Sequence, residues 1–363
     1  MATENRKNDR LIFSHKEATA GTPDTNAAIQ VYGVMPQPRP VSSMESDKNK
    51  LGTGQGGTQA ETQSLHTPFS LTMVQRLSEL AYLMSYGLGF ADTPAQQDTS
   101  TAYTHPLRGF RKTETLTMPT MGFQYGDGTT NDVYAHGLIN DFSLTFNTEG
   151  SPSVIESTFN GFCNGHSRTN GVFAKLPSGS FASGTMNDAS EPLINPKCCK
   201  VYLGSGLEGT FTQNYTGSDL ADSVDISEMI KSITITYNNG MTADNLMRAD
   251  GCGLINDQTH GVPSVTLEIN WRKDTSKVDV DALQIADTAR ALEILFVGNE
   301  IETGYNYAMD LFVPKFQMMN PTEDDETPVN ETVTTEVFSD SNDDQLLCYV
   351  QSALTTGYNA VSV

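Results

Sequence analysis

The chain has 363 residues, 37% hydrophobic and 18% charged, and its 44 Asp and Glu outnumber its 22 Lys and Arg to give a formal net charge of -22. That length and apolar content fit one large or two smaller folded β domains and exclude a chain disordered throughout. So acidic a surface repels phosphate backbones and anionic lipid, which excludes conventional nucleic-acid binding but leaves a surface past which DNA can slide.

Residues 1–66 read as an extended N-terminal arm. They open on the polar MATENRKNDR, without the apolar region of a signal peptide, and include MPQPRPV and the glycine-rich LGTGQGGTQ with no regular apolar period. GTGQGG at Gly52–Gly57 lacks the Lys-Ser/Thr ending of a phosphate loop and reads as a flexible segment. Nowhere does an apolar run reach membrane-spanning length, so no membrane segment is expected.

The next stretch, HTPFSLTMVQRLSELAYLMSYGLG, places Met73, Val74, Leu77, Leu80, Ala81 and Met84 at three- and four-residue intervals. This is the repeat of a one-faced helix, capped at its start by Thr67 or Ser70 and ended at Gly87. From Thr113 onward the pattern is of strands separated by turns: TETLTMP, INDFSLTFN, VIESTFNGF, IKSITITYNNG, SVTLEINWRK, ALEILFVGN, NYAMDLFVPKF and LLCYVQSAL.

Several of these strands are two-sided. Phe142, Leu144 and Phe146 fall on one face and Asp141, Ser143, Thr145 and Asn147 on the other. Ile233, Ile235 and Tyr237 alternate with Ser232, Thr234 and Thr236 before a turn at Asn239-Gly240, while Val265, Leu267, Ile269 and Trp271 alternate with Thr266, Glu268, Asn270 and Arg272. DVDALQIADTARA reads as a short helix with Leu283, Ala286 and Ala289 facing the core. A long hairpin follows around Glu302-Thr303-Gly304, and the acidic stretch 321–344 reads as a solvated loop.

Motifs that would carry chemistry are scarce. Neither G-x-S-x-G nor H-E-x-x-H occurs, and Asp274, Asp279 and Asp281 lack the spacing of a calcium loop. Five cysteines, Cys163, Cys198, Cys199, Cys252 and Cys348, show no zinc spacing and read as reduced thiols, with the Cys198-Cys199 pair at a strand edge. Trp271, the one tryptophan, sits in strand alternation and reads as a core or interface residue. His136 beside Gly137 reads as a strand entrance. No catalytic residue, cofactor or metal is expected.

The order of pieces, with GLINDFSLTFNTEGSPSVIESTFNG, then IKSITITYNNGM and SVTLEINW, a short helix and a closing hairpin, resembles the major tail tube protein of a long-tailed, siphovirus-type bacteriophage. The resemblance covers roughly residues 65–360 and rests on strand and turn order. It implies a mainly β fold, an antiparallel β-sandwich or barrel spanning residues 67–363, with one or two flanking α-helices and long extended arms. It also implies six subunits joined edge to edge in a ring. Such rings stack into a hollow tube in the virion tail, assembled in the host bacterial cytoplasm. Partners would then be further copies of the chain, other tail proteins at the tube ends, and double-stranded DNA in transient passage. Among the wet-face acids, Asp141, Glu156 and Glu268 are candidates for the tube lining. The alternatives are a capsid protein or a tail appendage, the latter binding carbohydrate.

Overall fold

A computed structural model of the chain describes residues 10–17, 28–31, 35, 38, 41–46, 60–74, 76–111, 114, 118–126, 131–149, 155–169, 193–207, 217–244, 257–324, 329–355 and 357–358. In chain order the strands are β1 (Arg10–Lys16), β2 (Ala28–Val31), β3 (Val41–Ser46) and β4 (Ala60–Val74), followed by helix α1 (Leu77–Leu88). Short strands β5 (Phe90–Ala91) and β6 (Ala95–Gln96) precede β7 (Tyr103–Arg108), β8 (Met121–Gly126) and the long pair β9 (Asn131–Asn147) and β10 (Glu156–Thr169). Then come β11 (Cys199–Gly204), β12 (Gly206–Leu207), β13 (Leu220–Ala221), β14 (Val224–Asp225), β15 (Ile230–Asn238), β16 (Met241–Asp244), β17 (Asp257–His260) and β18 (Ser264–Arg272). Helix α2 (Val280–Ile285) leads into the hairpin β19 (Arg290–Glu302) and β20 (Tyr305–Glu323), and β21 (Asn330–Val337) and β22 (Leu347–Ser352) close the fold.

The protein is mainly β, and the strand pairs among the described residues are antiparallel. One region runs β4-β10-β9-β15-β18-β21, and a second runs β11-β19-β20-β22-β7. The 19-residue β20 joins them: Ala308–Phe312 pair with β22, whereas Phe316–Glu323 pair with β21. Side chains alternate along every strand, so each region turns one face inward, and both inner faces feed a single hydrophobic cluster. Phe142, Leu144 and Phe146 sit there as their alternation requires, with Ile233, Ile235, Leu267, Ile269 and Trp271. Burying a phenylalanine such as Phe142 contributes about 2 to 3 kcal/mol.

Helix α1 lies in this core against β9, β7, β20 and β22, and all twelve of its residues are buried. The one-faced helix expected from the sequence is therefore packed on every side. Within it Ser85 Oγ donates to the Tyr82 carbonyl at 2.7 Å. Its start is also corrected. Thr67 and Ser70 belong to β4, opposite Cys163 and Asn160 of β10, and the helix begins after the extended Arg76 with no side-chain cap. The physical reason is a period of two, with Phe69 and Leu71 buried while Pro68 and Thr72 are exposed, which prevails over the helical spacing of the same stretch. The C-terminal turn is made by Gly89 at φ 90°, not by Gly87, and its N–H donates to Ser85 O.

Other expectations shift with the tertiary context. The boundary expected between residues 66 and 67 falls inside β4; upstream of it β3 pairs with β4, β1 pairs with β8, and Glu17 and Met35 are buried. Asn239-Gly240 does not close a hairpin. Strand β15 has β9 and β18 as neighbours, and Gly240, at φ 71°, directs the chain into the separate β16-β17 ribbon. The acidic stretch 321–344 contains β21, and its Glu331 is buried and accepts a hydrogen bond from Trp271 Nε1 at 3.0 Å. On α2, Leu283 packs on the core, but Ala286 is exposed and Ile285 is 86% exposed. His136 lies within β9 at φ 55°, where its N–H donates to Glu17 Oε1 and the register shifts. Of the strand expected at TETLTMP, residues 115–117 lie outside the described residues, and Met118 and Pro119 are irregular. Gly52–Gly57 and Cys252 also lie outside them. No helix among the described residues is long and apolar enough to cross a membrane.

Candidate functional site

Antiparallel register places directly opposed residues on the same face, so the outer surface of β4-β10-β9-β15-β18-β21 can be traced row by row. Ser70, Asn160, Asp141, Asn238 and Ser264 form one row. Thr72, Thr158, Ser143, Thr236 and Thr266 form the next. A third consists of Glu156, Thr145, Thr234, Glu268 and Thr334, and a fourth of Asn147, Ser232, Asn270 and Thr332. These rows hold hydroxyls, amides and three carboxylates, with Val74 of β4 opposite Glu156 in the third, and they contain no lysine or arginine.

The three acids picked out by sequence therefore share one face. Glu156 and Glu268 even share a row, with Thr145 and Thr234 between them, which sets their strands about 14 Å apart across three strand spacings. Both are exposed, and Asp141 is half-buried. Asn160 Nδ2 donates to Asp141 Oδ1 at 2.6 Å, which holds that carboxylate in place.

Between the acids, the hydroxyls bridge neighbouring strands. Thr236 Oγ1 donates to Ser143 Oγ at 3.2 Å, Thr145 and Thr234 hydroxyls lie 3.5 Å apart, and those of Thr72 and Thr158 3.4 Å apart. Cross-strand pairs of this kind are worth roughly 0.2 to 1 kcal/mol each and keep side chains short and ordered. The face can hydrate, accept and donate hydrogen bonds, and present fixed negative charge. The four rows offer no cation to a phosphate; the exposed Arg272 lies one row further along β18 on the same face.

The residues weighed for metal binding have local duties. Asp279 caps α2 by accepting from Ala282 N at 3.0 Å, Asp274 accepts from Ser276, and Asp281 lies 4.0 Å from Lys273. Among the described residues no group of three or more His, Cys, Asp or Glu is placed to hold a metal ion. Cys163, Cys198, Cys199 and Cys348 are free thiols, and burial pushes the Cys199 thiol up to about 12.

Two features escaped the reading of the sequence. One is a pair of buried acids, Glu293 on β19 and Asp310 on β20, facing outward from the second region beneath the β12-β13 ribbon. The available signal was an acid inside each of two otherwise apolar strands, ALEILFV and NYAMDLFV. The other is a cavity beside Tyr237, which no local pattern announces because five separate stretches of the chain build it. Comparison with protein-family models and with curated protein sequences returns no match.

Proposed function

We propose that the protein is a structural subunit that assembles with copies of itself into rings, stacked as the hollow tail tube of a long-tailed bacteriophage and serving as a conduit for double-stranded DNA. The observation that carries this reading is the outer face of β4-β10-β9-β15-β18-β21, a broad surface of serine, threonine and asparagine bearing Asp141, Glu156 and Glu268 and no cation in its four rows. DNA carries about one charge per 1.7 Å of axis, and a lining that offers it hydration and mild repulsion lets it slide without being held. The resemblance in strand and turn order points to the same reading, and a many-stranded chain has edges suited to edge-to-edge assembly in a closed ring.

Trp271 does not favour the carbohydrate-binding alternative, since its ring is fully buried and its N–H is engaged by Glu331. Negative-stain electron microscopy of the purified full-length protein tests the proposal. Hollow tubes or six-fold rings are expected. Shell fragments would instead favour a capsid protein, and isolated trimers an appendage.

A further inference from the structure

A partly open cavity of ≈470 Å³ is bounded by Leu88 at the end of α1, by Gly109, Phe110, Arg111, Glu114 and Met118, by the end of β15, by the 261–263 turn and by the 339–346 segment. Leu88, Phe110, Met118 and Leu346 give it apolar walls, and Val262, 85% exposed, stands at its edge. Its volume lies in the range of sites for small organic molecules, which are apolar with a few placed polar groups.

The polar groups without a partner are chiefly acceptors. Tyr237 is only 2% exposed and lines the cavity near its hydroxyl end. The space before it is kept open by Gly109, where a Cβ would stand 2.9 Å from the Tyr237 oxygen. Gln345 Oε1 is buried without a partner, and the exposed Asp343 carboxylate has none among the described residues. Buried polar atoms are normally paired, so the unpaired Gln345 amide oxygen on this cavity marks a place for a ligand's donor.

Among the described residues the cation of the wall, Arg111, and Arg108 beside it are already engaged. Arg111 binds Asp344 through Nε at 3.1 Å and Nη2 at 2.7 Å. Arg108 binds Glu114 at 2.7 and 2.6 Å, and its guanidinium stacks 3.9 Å over the Phe90 ring. An anionic ligand would find no free guanidinium, whereas a donor-bearing cation meets unpaired acceptors at Asp343 and Gln345 beside aromatic rings that favour positive charge.

We propose that this cavity binds a small organic cation with an apolar, single-ring body, of the arylalkylammonium class. The ring packs between Leu88, Phe110, Met118 and Leu346, and the ammonium donates toward Asp343 and Gln345. This inference is independent of the tube assignment.

The test is titration of the full-length protein with 2-phenylethylammonium, followed by calorimetry and by the methyl resonance of Met118. Its isometric anion control is 3-phenylpropionate. Saturable binding of the cation is expected, with the anion at least about tenfold weaker. Gly109→Val, which fills the space before the Tyr237 hydroxyl, should abolish binding. Asp343→Asn should weaken the cation about tenfold, because Asn tolerates the φ of 66° at this exposed position and removes only the charge. No saturable shift at Met118, equal binding of the anion, or unaltered affinity in a folded Asp343→Asn variant would each overturn the proposal.

Discussion

Glu293 and Asp310 place two carboxyl groups where water does not reach, 0% and 2% exposed. Ser218 Oγ and Asp219 N donate to Glu293 Oε2 at 2.6 and 3.1 Å, while Glu293 Oε1 and Asp310 Oδ1 have no donor. A proton held between the two acids satisfies both. Desolvation is the main cause that pushes Glu293 up to about 7, and desolvation with the Glu293 charge pushes Asp310 well up. Tyr202 opposite Glu293, Tyr349 opposite Asp310, and nearby Asp219 and Cys348 are the other titratable groups facing the pair, and neither acid makes an ion pair among the described residues. Lys200 lies in the Leu295-Asp310 row but is exposed.

The sign of the linkage follows from the raised value. The folded state holds a proton that the unfolded chain releases near the ordinary Glu value of 4.5, so this stabilisation is complete below that pH and lost as pH rises through about 7. Glu293→Gln, which cannot ionise, should flatten the decline in Tm between pH 5 and 8 and stabilise the protein at pH 8 by on the order of 2 kcal/mol. Parallel melting curves for wild type and variant across that range would refute the shared proton.

At the scale of elements, strands were legible where one face meets the core and the other meets solvent. INDFSLTFN, IKSITITYN and SVTLEINW announce themselves because alternation is a local property of an extended chain. Strand β8 and the true extent of β4 were not legible, since short mixed stretches carry both periods until a partner strand selects one. Helix α1 gives the clearest case of context reversing a local rule. Gly87 lies within it, and an added Cβ would stand 2.7 Å from Phe142 Cδ1. Helix propensity favours Gly87→Ala by about 1 kcal/mol. Overpacking against the Phe142 ring should prevail, and the variant is expected to be less stable by roughly 1 to 3 kcal/mol in urea unfolding. A rise in midpoint would show that the ring can move aside.

At the scale of the whole molecule, the charge of -22 would set the conditions for the proposed assembly. Copies brought edge to edge repel one another, and salt screens that repulsion over about 10 Å at 0.1 M. Self-association measured by sedimentation should therefore strengthen from 10 to 300 mM salt, and assembly equally strong at very low ionic strength would contradict this. Replacing Asp141, Glu156 and Glu268 together by lysine puts three cations on a face that now has none in its four rows. On the proposed function the variant should still assemble, because these side chains point away from the core, and its particles should retain double-stranded DNA in a salt-dependent manner while those of the wild type should release it. Release unchanged by the triple substitution would remove the face from the lining.

The sequence by itself determined which strands have a wet and a dry side and that the surface is acidic, since both follow from side-chain direction and composition. Tertiary structure alone decided that Glu156 and Glu268 share a row, that α1 is buried on every side, and that Glu293 meets Asp310. It also decided that Gly109 leaves an opening before Tyr237. Each of these depends on the register between segments far apart in the chain, and a shift of one residue in any strand would send its side chains to the opposite face.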